Sequence, residues 1–424
     1  MKILLLTHNP ICTYNNMGKT FHSMFSDFES EMLCQIYVHN SLPDVDLCNA
    51  YYRITDKNVL KNLFFGHPGE EISKDKILEQ IRKRENGTLS APKPRFGAKA
   101  IYRLMRDSIW KLSRWYSKDL KAWLDREKPT CIFLAPGYAK FIYDLALRIS
   151  KDRGLPIVTY ICDDYYFVKK PKKLLEKICF YGIREKTNKL MAHTSRLIVI
   201  SNEMKSLYEN NFCVKTDLIM TGASFPCKNK LIKTDSVKTI SYFGNLADGR
   251  YKSLLAICRA VEKINLEMNF DIKVKIYTAE TALEYLNEFN SIKCVDMCGF
   301  VSGDVYKTAF EKSDILIHTE SFDTEYIDLV KHSVSTKIAD SLASGIPLLA
   351  YGPADISSMQ HLIRNKCAIV ATSNYELKNV LEKNIFDVKY LNNIIGRALE
   401  TANQYHNQKA NSAKLKAIFQ EVRN

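Results

Sequence analysis

Residues 332–353 read HSVSTKIADSLASGIPLLAYGP, and the part that could do chemistry is the polar front: Ser333, Ser335, Thr336 and Lys337. A helix start rich in Ser and Thr leaves backbone N–H groups that favour an anion, and Lys337 would add charge. An ordinary N-cap is the plainer alternative. Two acids, Asp163 and Asp164, stand directly after an apolar run in TYICDDYYF (159–167). Such a strand end faces the crevice of an open parallel sheet, where one carboxylate could take a hydroxyl's proton as general base. An Asp-Asp turn is the alternative. His8 closes the first apolar run, and the loop after it carries Asn16, Gly18 and Lys19. Glycine before a helix permits close approach of a diphosphate or an acceptor, though a loop histidine more often has only structural partners.

Alternating elements must position these groups. Apolar strand patterns lie at 2–7, 33–38, 130–134, 157–161 and 197–200, with helical stretches such as 138–151 and 174–193 between them. The polar stretch TGASFPCKNKLIKTD (221–235) looks like a linker. The pattern then restarts with strands at 239–243, 273–277, 315–318 and 347–351, separated by helices at 253–266, 282–289, 304–312 and 337–343. Strands alternating with helices argue doubly wound parallel sheets, so an α/β chain of two Rossmann-like domains facing a central cleft is expected. The expected domains are 1–225 and 236–405, with 406–424 a C-terminal helix packing back on the first.

Bulk composition narrows the partners. The 424 residues are 46% hydrophobic and 25% charged, which fits two or three globular domains. A formal net charge of +14 points to anionic partners: nucleic acid, an acidic membrane face or phosphorylated small molecules. Twelve scattered cysteines without C-x-x-C, and without Cys/His groups at zinc spacing, predict no metal site and a reduced, cytosolic compartment. MKILLLTHNP is too short an apolar run for a signal peptide, and no run reaches the roughly 18–20 residues of a spanning helix. Neither half carries G-x-G-x-x-G or a Walker A sequence, which disfavours dinucleotide oxidoreductases and P-loop NTPases.

Three blocks carry a family resemblance: SYFGNLADGRYKSLLAI (241–257), CGFVSGDVYKTAFEKSDILIHTES (298–321) and VSTKIADSLASGIPLLAYGP (334–353). Together they resemble the C-terminal domain of GT-B glycosyltransferases, particularly glycosyltransferase family 4. The resemblance implies a nucleotide-sugar donor on the C-terminal domain and an acceptor mainly on the N-terminal one. Arg250 and Lys252, after the Gly244-Asn245 turn, fall where the family keeps a basic pair for the pyrophosphate. Asp340 holds the place of the second Glu of the family's E-x7-E motif, which takes the ribose hydroxyls. The first Glu is absent: His332 stands eight residues before Asp340, and the loop ESFDTEYIDLVKH (320–332) intervenes. Glu320 is the best positional substitute, with Asp323 and Glu325 open. Ser333, Ser335, Thr336 and Lys337 would then form a diphosphate seat. The family also implies catalytic-cleft groups near the strand end that here carries Asp163-Asp164.

From 93 to 128 there are eleven Lys/Arg against four Asp/Glu, and Trp110, Trp115 and Trp123 all lie there. Apolar residues recur at near-helical spacing, so a basic Trp-rich helix over about 98–126 could lie on an anionic bilayer face, or simply pack on the domain. The expectation is a glycosyltransferase moving a sugar from a UDP- or GDP-linked donor to a glycan or polyprenyl-diphosphate-linked acceptor, in bacterial surface polysaccharide synthesis. Family 4 implies retention of anomeric configuration. No cofactor is expected, because the nucleotide sugar is a substrate, and peripheral contact with the inner face of the plasma membrane is. The alternatives are a GT-B nucleotide-sugar 2-epimerase and a nucleic-acid-binding protein. The latter explains neither the STK helix nor the repeated α/β pattern, so no nucleic acid is expected.

Overall fold

Strand β1 (Ile3–Thr7) is apolar at four successive positions because a parallel strand in the middle of a sheet is covered on both faces. The computed structural model describes residues 1–12, 16–63, 68–85, 99–224, 227, 232, 237–280 and 282–423. Most of the expected linker falls outside them. The chain divides into two units: residues 1–221 with 408–424, and residues 222–407.

In the first unit, β1 is joined by β2 (Leu33–Tyr37), β3 (Ala50–Arg53), β4 (Glu70–Ile72), β5 (Cys131–Leu134), β6 (Ile157–Ile161), β7 (Thr194–Val199) and β8 (Thr216–Leu218). Among the described residues they form one sheet in the order β4-β3-β2-β1-β5-β6-β7-β8, parallel except for the β3–β4 pair. The order reverses between β1 and β5, a topological switch point of the kind that opens a crevice at the strands' carboxyl ends. The helix Gln408–Arg423 belongs to this unit. Its Phe419 lies among Phe25, Phe28 and Phe133, with ring centroids 6.1–6.4 Å apart, and Glu421 pairs with the buried Arg196.

The second unit holds β9 (Thr239–Phe243), β10 (Lys273–Tyr277), β11 (Val295–Met297), β12 (Ile315–Thr319), β13 (Leu348–Tyr351) and β14 (Ile369–Ala371). Their order is β11-β10-β9-β12-β13-β14, all parallel, with the switch between β9 and β12. Strand periodicity sorts the core. Ile240, Tyr242, Ile315, Ile317 and Leu349 pack on one face, while Leu316, Leu348 and Ala350 join Ile338 and Leu342 on the other.

The basic Trp segment departs from expectation. Two helices, Ala100–Leu112 and Lys118–Glu127, replace the single one, and Ser117 caps the second by accepting from the Leu120 N–H at 3.2 Å. Trp110 and Trp123 are 1% and 2% exposed. Trp110 stacks on Phe141 at 3.9 Å and donates its indole N–H to Asp56 at 2.7 Å, while Trp123 packs against Tyr52. These rings are core: burying such large apolar area outweighs any gain at a headgroup layer. The large apolar side chains the first helix does expose are Ile101, Tyr102, Met105 and Leu112. Among the described residues no helix is long and apolar enough to cross a membrane.

Candidate active site

The carboxyl ends of β9 and β12 gather the charged residues of the second unit. After β9 the chain turns through Gly244 and Asn245. Asp248 and Gly249 both have positive φ (56° and 72°), and the 19-residue helix Arg250–Met268 begins at once. Gly249 is required here twice over: its φ suits glycine, and a Cβ would lie 2.4 Å from Ser321 Oγ. Arg250 and Lys252 therefore sit in the first helical turn, three residues before the expected start. Two cations at a helix N-terminus are placed against the macrodipole, and carboxylates answer them.

Arg250 Nε donates to Glu320 Oε2 at 3.0 Å, and its Nη1 donates to Asp248 Oδ2 at 3.1 Å and to Asn245 Oδ1 at 3.3 Å. Nη2 makes no hydrogen bond among the described residues, which leaves its two N–H donors for a ligand. Lys252 pairs with Asp323 at 2.7 Å. Glu320 is 4% exposed, held by its backbone N–H to the Tyr351 carbonyl (3.0 Å) and by Ser253 Oγ donating to its own carbonyl (2.8 Å). Burial pushes the Glu320 carboxyl up, against the pull of Arg250 and Lys337. Glu320 is thus the counter-ion that aims Arg250.

Lys337 comes from the other side. Its Nζ occupies the space a Gly244 side chain would need, 2.2 Å from where a Cβ would stand, and it lies 5.7 Å over the Tyr242 ring. Arg250 and Lys337 both act on His318, whose pKa falls to about 3 mainly through burial. His318 Nε2 faces Glu320 Oε1 at 3.6 Å and has no hydrogen-bond partner among the described residues. Nothing in the three blocks singles out His318 or Tyr242 as site groups; the available signal is a lone histidine inside the apolar strand ILIHT.

The helix front at Lys337 is less open than its sequence implies. The helix Lys337–Ala343 spans seven residues, and Thr336, its N-cap, makes no side-chain cap bond. The Ser335 N–H is taken by Ser358 Oγ at 3.1 Å and the Ser333 N–H by the Val330 carbonyl at 3.0 Å. Backbone N–H groups of Arg250, Tyr251 and Lys252 are likewise bonded to carbonyls. What this end of the unit offers an anion is therefore side-chain charge more than bare amides. Asp340, one turn on, accepts from the Ser224 N–H at 2.6 Å and stands close enough to Tyr306 to raise its pKa, after burial.

The first unit distributes its candidates differently. Asp164 is buried and accepts from the Tyr166 and Phe167 N–H groups (2.9 and 3.1 Å) and from the Tyr208 hydroxyl (3.2 Å), which makes it the organiser of its turn. Asp163 is exposed and lines a shallow pocket walled by Tyr143, Tyr160, Tyr165 and Tyr208. His8 donates from Nδ1 to Asn9 Oδ1 at 3.3 Å and accepts at Nε2 from Arg106 at 3.2 Å, the one tautomer that satisfies both. Burial, then Arg106, holds its pKa at about 4. The lone pair a general base would use is occupied in this arrangement. The space left by the missing Gly18 side chain is filled by Cys12, whose carbonyl lies 2.4 Å from a Cβ position, so glycine serves packing there. Lys19 is exposed, and the Asn16 side chain lies outside the described residues.

No protein-family model matches the sequence, and no curated protein matches it by sequence. Solved structures do match in three dimensions. HepE from Anabaena, solved with UDP, has a TM-score of 0.66 at 12% identity, over 99% of this chain and 100% of its own. It has also been solved with UDP-glucose. Sucrose-phosphate synthase from Thermosynechococcus elongatus gives 0.60 at 10% identity, over 100% of this chain and 99% of its own. A UDP-forming α,α-trehalose-phosphate synthase from Burkholderia vietnamiensis gives 0.58 at 8%, over 99% and 100%. Two parallel α/β units and these end-to-end likenesses identify the chain as having the GT-B glycosyltransferase fold.

Proposed function

We propose that the protein is a nucleotide-sugar-dependent glycosyltransferase whose second unit holds the donor at the carboxyl ends of β9 and β12. The observation that carries this reading is the convergence of Lys337 and Arg250: one ammonium fills the place of a Gly244 side chain, and one guanidinium is aimed by the buried Glu320. A leaving nucleoside diphosphate develops negative charge on its terminal phosphate. Fixed cations that meet this charge stabilise the transition state more than the ground state. Arg250 Nη2 and Lys337 Nζ are the donors proposed for the diphosphate, with Lys252 exchanging Asp323 for phosphate. Asp340 is proposed for the ribose hydroxyls. Glu320 acts by positioning Arg250, and Asp163 is the carboxylate proposed to approach the acceptor.

The likeness to structures solved with UDP supports a uridine donor as the first to test, with GDP second. The proposed acceptor is a glycan or a polyprenyl-diphosphate-linked glycan of bacterial surface polysaccharide synthesis. The proposed transfer retains anomeric configuration, takes place on the cytoplasmic face of the membrane and needs no cofactor. Calorimetric titration of UDP and GDP into the wild type and Lys337→Ala tests the donor site. Loss of one charge-assisted bond predicts about a tenfold to hundredfold weakening; equal affinities refute the assignment. The anomeric proton coupling of the product sugar, read by NMR, tests retention.

A further inference from the structure

At the switch point of the first unit, beyond β1 and β5, an open cavity of about 80 Å³ lies between strand ends and helices. His8 follows β1, and Tyr138 and Lys140 follow β5. The helix Ala100–Leu112 supplies Arg103, Arg106 and Asp107 from one face, at the i, i+3 and i+4 spacing that brings side chains together. Three cations thus line one cavity with a single carboxylate. Lys140 answers that carboxylate: its Nζ lies 3.0 Å from Asp107 Oδ2, and a Cβ on Gly182 would meet the same Nζ at 3.0 Å. Arg106 is held by Asp56 at 2.8 Å and by His8, which is neutral at pH 7.

Arg103 is the odd one out. Its guanidinium lies 3.9 Å over the Tyr138 ring and makes no hydrogen bond or ion pair among the described residues. Glu176, which acts on it through space, pairs with Lys173 at 3.9 Å. Arg103 is half-exposed, so water holds its five N–H donors until a ligand oxygen replaces it, and the planar fork fits phosphate oxygens. Stacking on Tyr138 fixes the fork in place before a ligand arrives.

We propose that this cavity is a second anion site, for the phosphate or diphosphate group of a phosphorylated acceptor, with Arg103 as its principal donor and Arg106 and Lys140 completing the charge. The binding claim stands on the cavity alone; only the word acceptor rests on the glycosyltransferase reading. The surroundings allow the phosphate to be carried by a lipid. Ile101, Tyr102 and Met105 are exposed on the helix that bears Arg103, and Leu174 and Ile178 are exposed on the helix that contributes Cys179 to the cavity wall. A soluble sugar phosphate would present the same anion without the chain.

The test uses the full chain and inorganic pyrophosphate, titrated calorimetrically with UDP at saturation so that the donor site is filled. Binding is expected in the wild type, weakened at least about tenfold in Arg103→Ala and partly restored in Arg103→Lys. Arg103 has no ion pair to lose among the described residues and only its stack on Tyr138, so Arg103→Ala should melt within a few degrees of the wild type. Lys337→Ala should lose UDP affinity and keep pyrophosphate affinity, which separates failure of this site from failure of the donor reading. No pyrophosphate binding beside UDP, or equal affinity in Arg103→Ala, overturns the proposal. Flotation with phosphatidylcholine vesicles, plain or doped with a polyprenyl phosphate, then names the source. Arg103-dependent recruitment only to doped vesicles assigns a lipid-borne phosphate; pyrophosphate binding without recruitment assigns a soluble one.

Discussion

Arg250 and Glu320 meet at 3.0 Å across the switch point of the second sheet, one in the first turn after β9, the other directly after β12. Their side chains are 17% and 5% exposed, so neither charge is well hydrated and each depends on the other. Truncating one partner of such a pair leaves the other desolvated and unanswered. Glu320→Ala should therefore lower unfolding free energy in urea by about 3 kcal/mol, with Asp248 limiting the loss. It should also weaken UDP binding, because Arg250 loses its aim. A variant with wild-type stability and wild-type UDP affinity would show that the pair is incidental.

Gly244→Ala tests the placement of Lys337. The new Cβ would collide with Lys337 Nζ, the far end of a long side chain, and approach Tyr242 Oη to 2.9 Å. Lysine can swing aside whereas the buried Tyr242 cannot, so the variant should lose stability as well as about tenfold in UDP affinity. A large loss of stability with unchanged affinity contradicts the placement of Lys337.

Acid should unfold the protein through its buried histidines. His318 and His361 have folded pKa values of about 3, and His8 of about 4, against an ordinary 6.5. Below pH 6.5 the unfolded chain binds protons that these folded sites refuse, so stability is fully present above 6.5 and declines as pH falls toward 4 and then 3. Each group contributes on the order of a few kcal/mol by the end of that window. Removing one charge change with His361→Asn should flatten the decline, measured as urea midpoint against pH. An unaltered slope would mean that His361 is solvated.

Trp110 should matter to stability and not to vesicles. Trp110→Ala removes the stack on Phe141 and leaves Asp56 without its indole donor, a loss of about 3–5 kcal/mol. Tyr102→Ala and Met105→Ala, at exposed positions, should leave the urea midpoint unchanged. The opposite pattern would return Trp110 to the surface.

The sequence by itself determined the alternation of strands and helices, because a parallel strand covered on both faces must be written as an apolar run. Strands 239–243 and 273–277 and the helix 337–343 carry the bounds their patterns imply. Short strands such as Ala50–Arg53 and Glu70–Ile72 left no such trace, since three or four residues mixing polar and apolar types form no readable run. The sequence also brought Arg250, Lys252, Lys337 and Asp340 into one argument, through blocks that resemble a family. Only the tertiary structure decided what each charge faces. It made Glu320 the counter-ion of Arg250, gave the Ser335 amide to Ser358, and buried Trp110 and Trp123. It also left Arg103 stacked on Tyr138 with no ion pair among the described residues. The physical reason is common to all four. Residue type and spacing fix which face of an element a side chain is on, whereas its partner and its desolvation depend on elements scores of residues away.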